Sequence, residues 1–387
     1  MSASAYRQPF VQRLMLQNFR SYAYTSLDFD HRLIAFTGDN GAGKTNLLEA
    51  LSLFTPGRGL RRIDLGAMAR HGSTGSFAIS LSLVDQDGDS RRLGTGYEPA
   101  GSVTPGRRCR IDGLAVPSAS AFADYVRLVW LTPAFDGLFA GPASERRRFL
   151  DRLVLAVNPD HAARVSALER ALRTRNKLLE ADRPDEVWLE AVEHEIAETG
   201  VAVAAARRET LTRLSTLILE SRQDQSPFPW AHLALEGPIE AELASAAALD
   251  VEDSYRDWLR DGRWRDKAAG RTLIGPHLSD LVVHHGPKGI EAHQASTGEQ
   301  KALLIGLVLA HAQLLSTMAG LAPLVLLDEV AAHLDPRRRQ ALFERLDQMG
   351  VQVFMTGADP SAFSALPASA ECWTITPGCA ERVALSR

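Results

Sequence analysis

The chain has 387 residues, 45% of them hydrophobic, which is enough for two or three folding units around a sizeable core. Its net charge is −4 and its pI about 6.3, so it is not a globally basic nucleic-acid binder, and any such contact must use local patches. Three cysteines, Cys109, Cys372 and Cys379, without a C-x-x-C pair argue against a disulfide scaffold or a zinc site. Met1 to Gln8 lacks an apolar signal core, and the longest apolar stretch, Leu303 to Leu315, carries His311 and Gln313 and is short for a bilayer. The expectation is a soluble, cytoplasmic protein with no membrane partner.

In chain order, Val11–Leu16 and Leu27–Asp30 alternate as two strands, with Asn18-Phe19-Arg20-Ser21-Tyr22 between them. A third apolar run, Leu33–Thr37, feeds Gly38-Asp39-Asn40-Gly41-Ala42-Gly43-Lys44-Thr45, and Asn46–Leu51 continues as a helix. The pattern G-x-x-x-x-G-K-T between a strand and a helix predicts a phosphate-binding loop. Glycines let successive N–H groups turn inward onto phosphate oxygens, and the helix N-terminus adds its dipole. Lys44 is expected on the β- and γ-phosphates of ATP, and the Thr45 hydroxyl on Mg²⁺.

Residues 56 to 116 read as an antiparallel meander, with a strand at Phe77–Val84, a turn at Asp87-Gly88-Asp89 and a short strand ending in Ile111-Asp112-Gly113. Val126–Leu131 is a further buried strand. A loop, Thr132 to Pro142, leads into a helix from Ser144. Val165, Leu168, Leu172 and Leu179, then Val192, Ile196 and Val203 after a break at Arg183-Pro184-Asp185, predict an antiparallel helical hairpin or an ordinary pair of bundle helices, tens of residues long. The pattern from 227 to 270 is weak and reads as a small mixed or helical segment. Arg271–His277 and Leu281–His284 read as strands.

Pro323–Leu327 is an apolar strand ending in Asp328 and Glu329. A buried parallel strand would deliver Asp328 to the Mg²⁺ shell and Glu329 to the attacking water as general base. Ala295-Ser296-Thr297-Gly298-Glu299-Gln300-Lys301 precedes a helix, Ala302 to Leu314, where Ser296 and Gly298 would form an anion-accepting end. That order, completed by His333-Leu334-Asp335, resembles the ATP-binding-cassette ATPases with their signature motif and D-loop.

Lys44 and Asp328 lie 284 positions apart (328 − 44), so a large insertion splits the two halves of one site. A transporter-type cassette subunit is the alternative, but Val351–Thr356 ends without the switch histidine such a subunit usually has. Leu14–Tyr22, the phosphate loop, Gly141–Asp151 and Arg271–His277 together resemble the RecF family of DNA replication and repair proteins, from about residue 11 to the C-terminus. Two positions depart from the family pattern. Leu278-Ser279-Asp280 stands in place of an Arg-Asp-Asp-like run, and Thr297 stands in the signature.

The resemblance implies an α/β fold: an ATP-binding-cassette head plus a mostly helical lobe with a short hairpin. The head would comprise 1–143 and 271–387, and the helical lobe 144–270. It implies a weak DNA-stimulated ATPase that binds double-stranded DNA at single-strand gaps and helps RecA load, with RecO and RecR as partners. ATP would join two copies head to head, Ser296 and Gly298 of one capping the nucleotide held by Gly38–Thr45 of the other. Candidate DNA contacts are Arg58, Arg61, Arg62, Arg107, Arg108, Arg110 and Arg146-Arg147-Arg148, while Arg337-Arg338-Arg339 would flank the dimer interface. No base-reading motif is visible, so recognition would go through the backbone.

Overall fold

The computed structural model describes residues 8–84, 88–102, 105–222 and 226–383. The leader reading over residues 1–7 and the start of the turn at Asp87 lie outside them.

The chain opens with β1 (Phe10–Phe19), β2 (Tyr22–Asp28) and β3 (Leu33–Thr37), then helix α1 (Lys44–Ser52). Four antiparallel strands follow: β4 (Phe77–Val84), β5 (Ser90–Glu98), β6 (Gly106–Ile111) and β7 (Leu114–Val116). Next come β8 (Leu128–Leu131) and the helices α2 (Ala143–Val157), α3 (His161–Glu180) and α4 (Glu186–Glu220). They are followed by β9 (Ala231–Glu236), α5 (Pro238–Glu242), α6 (Ala248–Asp261), α7 (Arg263–Ala269), β10 (Asp280–His285) and β11 (Ile290–Glu291). The chain closes with α8 (Thr297–Ala319), β12 (Leu324–Leu327), α9 (Pro336–Met349), β13 (Val353–Gly357), β14 (Ala370–Thr376) and β15 (Cys379–Val383).

Two compact units result. The first contains 1–136, 225–228 and 304–387; the second contains 137–224 and 229–303.

In the first unit, β2-β1-β4-β5-β6-β7 form one antiparallel sheet, and β15-β14-β3-β13-β12-β8 form the other. β4 shows why the first sheet is antiparallel. Phe77, Ile79, Leu81 and Leu83 are buried and the residues between them are not, as expected when one face packs and the other meets water. The second sheet behaves differently. β3, β12, β13 and β8 are buried at every position and pair in parallel. Its core joins Phe29, Phe36 and Phe354, with Phe29 edge-on to Phe354 at 5.2 Å.

The second unit is built on α3 and α4, which form the expected hairpin of 20 and 35 residues. Leu168 and Leu172 of α3, and Ile196 and Val203 of α4, share one core with Tyr255 of α6. A three-stranded sheet, β11-β10-β9, completes this unit.

Residues 271–303 group with the second unit rather than with the C-terminal half of the head, because β10 pairs along its whole length with β9. Residues 271–277 are also not a strand. Their backbone groups are claimed by side chains instead of a ladder. Tyr255 donates to the Ile274 carbonyl at 3.1 Å, Arg207 to the Pro276 carbonyl at 2.6 Å, and the Leu273 N–H donates to Asp266 at 3.0 Å. Gly275 sits at φ 134°, where a Cβ would overlap the Tyr255 hydroxyl. In the turn that departs from the family pattern, polar roles persist. Ser279 donates to Glu240 at 2.5 Å, and Asp280 receives Arg146 at 2.8 and 2.6 Å.

The helix α8 is longer than its apolar sequence suggested. Thr297–Met318 is long and apolar enough to cross a membrane, so length does not exclude that role; however, 72% of its most apolar stretch is buried, as in the core helix of a folded domain.

Candidate functional site

The second sheet of the first unit explains how residues 284 positions apart converge. β3 and β12 run parallel on either side of β13, so all three point their C-terminal ends to one edge. Those ends lie within two strand spacings, about 10 Å. β3 releases the glycine-rich loop at that edge, and β12 releases Asp328.

In the loop, Gly38 has φ 145°, and a Cβ there would overlap the Ile375 carbonyl of β14. Gly43 has φ 111°, and a Cβ would stand 2.7 Å from the Ser21 hydroxyl. Both positions therefore require glycine. Asp39, Asn40 and Gly41 form the exposed crest, whereas Ala42, Gly43 and Lys44 are buried. The Ala42 N–H donates to the Asp39 carbonyl at 3.1 Å, closing the turn. The Lys44 ammonium donates to the carbonyls of Gly38 at 2.6 Å and Asp39 at 2.9 Å, which leaves a third N–H for a ligand.

The Thr45 hydroxyl donates to the Asp328 carboxylate at 2.8 Å. Thr356, at the end of β13, donates to the same Asp328 oxygen at 2.7 Å and accepts from the Glu329 N–H at 2.9 Å. Glu329 lies at φ 52°, a left-handed conformation uncommon outside glycine. The sequence reading treated Thr356 only as the place where a switch histidine was missing. Its role comes from topology: β13 is the strand between the two halves of the site. A hydroxyl at the end of the third strand was the available signal.

The donor set suits a hard divalent cation. Thr45 and Asp328 bring two oxygens together, and no cluster of three or more His, Cys, Asp or Glu suited to a metal occurs among the described residues. Mg²⁺ is ordinarily held in this way, by one or two protein oxygens with phosphates and water completing the shell.

Arg20 is an internal clamp, donating to both Glu49 oxygens at 2.7 and 2.8 Å. Tyr22 donates to the Gly43 carbonyl at 3.2 Å and so holds the loop from the β1–β2 turn.

In the second unit, Ser296 precedes α8 and its N–H and hydroxyl donate to one Glu299 oxygen at 3.1 and 3.0 Å, a capping box. Lys288 pairs with the other Glu299 oxygen at 2.6 Å, and that pairing is the first cause holding the carboxyl down to about 2. Gly298 lies in the first turn of α8. The last residue of the expected D-loop, Asp335, caps α9 through the Arg338 N–H at 3.0 Å.

Several candidate DNA cations are used internally. Arg107 donates to the carbonyls of Gly57 at 2.6 Å and Leu53, Arg146 pairs with Asp280, Arg147 donates to the Ser279 carbonyl at 2.7 Å, and Arg148 pairs with Glu145. Arg61 donates to Asn46 at 3.2 Å.

A profile described as an AAA domain matches residues 13–92, and one described as AAA domain, putative AbiEii toxin, Type IV TA system matches residues 168–356. The structure of the recombination mediator protein RecF-ATPrS in the RecFOR pathway superposes with a TM-score of 0.85 at 20% identity, over 99% of this chain and 100% of that one. An Smc head domain with an extended coiled coil from Pyrococcus furiosus shares the fold with a TM-score of 0.54 at 17% identity, over 98% and 96%. The DNA replication and repair protein RecF of Mesorhizobium japonicum is 52% identical over 371 residues, 96% of this chain and 97% of its own. That of Brucella suis is 50% identical over 368 residues, 95% of each. With half its residues shared along nearly the full length of these relatives, the chain belongs to the RecF family of DNA replication and repair proteins.

Proposed function

We propose that this chain is an ATP-driven clamp of recombinational repair. It binds ATP between Gly38–Thr45 and the acids at the end of β12, and closes as a head-to-head dimer on duplex DNA. The observation that carries the reading is the 2.8 Å hydrogen bond from Thr45 to Asp328, which joins the two halves of a split nucleotide site.

The chemistry follows from the residues. The loop N–H groups and the Lys44 ammonium balance phosphate charge. Thr45 and Asp328 would hold Mg²⁺, which supplies further charge neutralisation on the phosphates. Glu329, next to Asp328, orients water and accepts its proton. Thr356 fixes both acids. Ser296 and Gly298 of a partner copy would cap the γ-phosphate, so that ATP joins the dimer and hydrolysis releases it. A solved structure described as a recombination mediator in the RecFOR pathway supports partnership with RecO and RecR, and on this reading the chain would help RecA load. Membership of the RecF family weighs against the transporter-subunit reading.

Sedimentation with a non-hydrolysable ATP analogue tests this. Wild-type protein should dimerise. Ser296→Arg should bind nucleotide and stay monomeric, and Glu329→Gln should persist as a dimer in ATP. A Ser296→Arg protein that still dimerises would overturn the sandwich.

A further inference from the structure

Nucleic-acid binding on a chain of net charge −4 needs a local cationic surface. Strand alternation supplies one on the first unit. In β6, Arg107 turns inward and is spent on backbone carbonyls, so Arg108 and Arg110 share the opposite, outer face with Arg92 of β5.

The register carries this face across the sheet. Arg110 stands opposite Gly94, then Ser80 and Met15; Arg108 stands opposite Gly96, then Ala78, Gln17 and Tyr24. Three arginines thus flank a floor of Ala78, Ser80, Gly94 and Gly96, forming a groove of about 400 Å³. The guanidinium groups of Arg92 and Arg110 have no hydrogen-bond or ion-pair partner among the described residues, and Glu98 is the one acid lining the groove. Neighbouring arginines on this sheet differ: Arg13 pairs with Asp28, and Arg91 with Asp112 at 3.5 Å. The small floor keeps the sheet low between the cationic rim and Tyr24, which is 61% exposed at the far edge.

We propose that this outer face of the antiparallel sheet is the duplex-DNA surface, with Arg92, Arg108 and Arg110 on backbone phosphates. The assignment rests on the DNA-binding reading above and adds the place. Recognition there is independent of sequence, because guanidinium–phosphate pairs carry no base information.

The test measures binding of labelled duplex and labelled single strand to the full chain with ATP, across a salt series. Each phosphate contact contributes about 0.9 to the slope of log affinity against log salt, so Arg92→Gln with Arg110→Gln should lower a duplex slope by about 1.8. ATP binding should be unchanged, and Arg91→Gln should leave the slope as it was. Gly94→Val, whose Cβ meets only ordinary contacts at 3.7 Å, should fold, weaken binding and keep the slope. A slope that falls for the single strand and not for the duplex would overturn the assignment. If wild-type protein binds neither form, the DNA-binding reading itself fails. If it binds and the double variant keeps the full slope, the DNA-binding reading stands and this face is wrong.

Discussion

Replacing Thr356 by Val tests the bracing of the acid pair. Thr356 is 1% exposed and Asp328 6%, so water cannot replace what the hydroxyl does. The change removes a donor to a buried carboxylate, about 1.5–3 kcal/mol, and leaves the half-buried Glu329 N–H without its partner, about 1 kcal/mol. Together these predict destabilisation of about 2.5–4 kcal/mol by denaturant titration, although Val nearly matches Thr in volume. Glu329 should also lose its fixed place. A shift of the order of 1 Å predicts a fall in kcat of about 10–100-fold while ATP affinity stays near wild type. Thr356→Ser keeps the hydroxyl and should recover most of both losses. Equal stability and turnover for the Val and Ser variants would refute the bracing.

Other substitutions probe the rest of the molecule. Arg175 is fully buried and donates to Glu193 at 2.9 Å, Asp266 at 2.7 Å and the Leu259 carbonyl at 2.6 Å. Arg175→Met should destabilise by about 3–5 kcal/mol by leaving buried carboxylates short of charge, measured by denaturant melting. Gly38→Ala should abolish nucleotide binding in a titration, because the methyl overlaps the Ile375 carbonyl. Burial pushes the His277 imidazole below its ordinary 6.5. The unfolded chain then takes up a proton that the folded chain refuses. The stabilisation is present above pH 6.5 and declines as pH falls below it. The drop in denaturation midpoint between pH 7.5 and 5.5 should therefore shrink in His277→Gln; an unchanged drop would exclude this group as its source.

The motifs were legible because their chemistry is local. The spacing of Gly38, Gly43, Lys44 and Thr45 belongs to one strand-loop-helix unit, and the 3.6-residue rhythm of Leu168, Leu172, Ile196 and Val203 announces the hairpin wherever the rest of the chain lies. Residues 271–277 misled for the opposite reason. Their short apolar run suits a strand, but Arg207 of α4, Tyr255 of α6 and Asp266 of the preceding α7 take its backbone groups. The arginines divide in the same way. Nothing in Arg107-Arg108-Cys109-Arg110 tells which guanidinium turns inward until the sheet has a core side.

By itself, then, the sequence determined the presence of a phosphate loop, an acid-ended strand and a helical hairpin, because each depends on neighbours within a few residues. Only the tertiary structure decided that β13 stands between β3 and β12, which makes Thr356 the link between the two acids, and that β10 joins β9. Strand order is set by burial and pairing over hundreds of residues, and a hydroxyl acquires its partners only when those strands lie side by side.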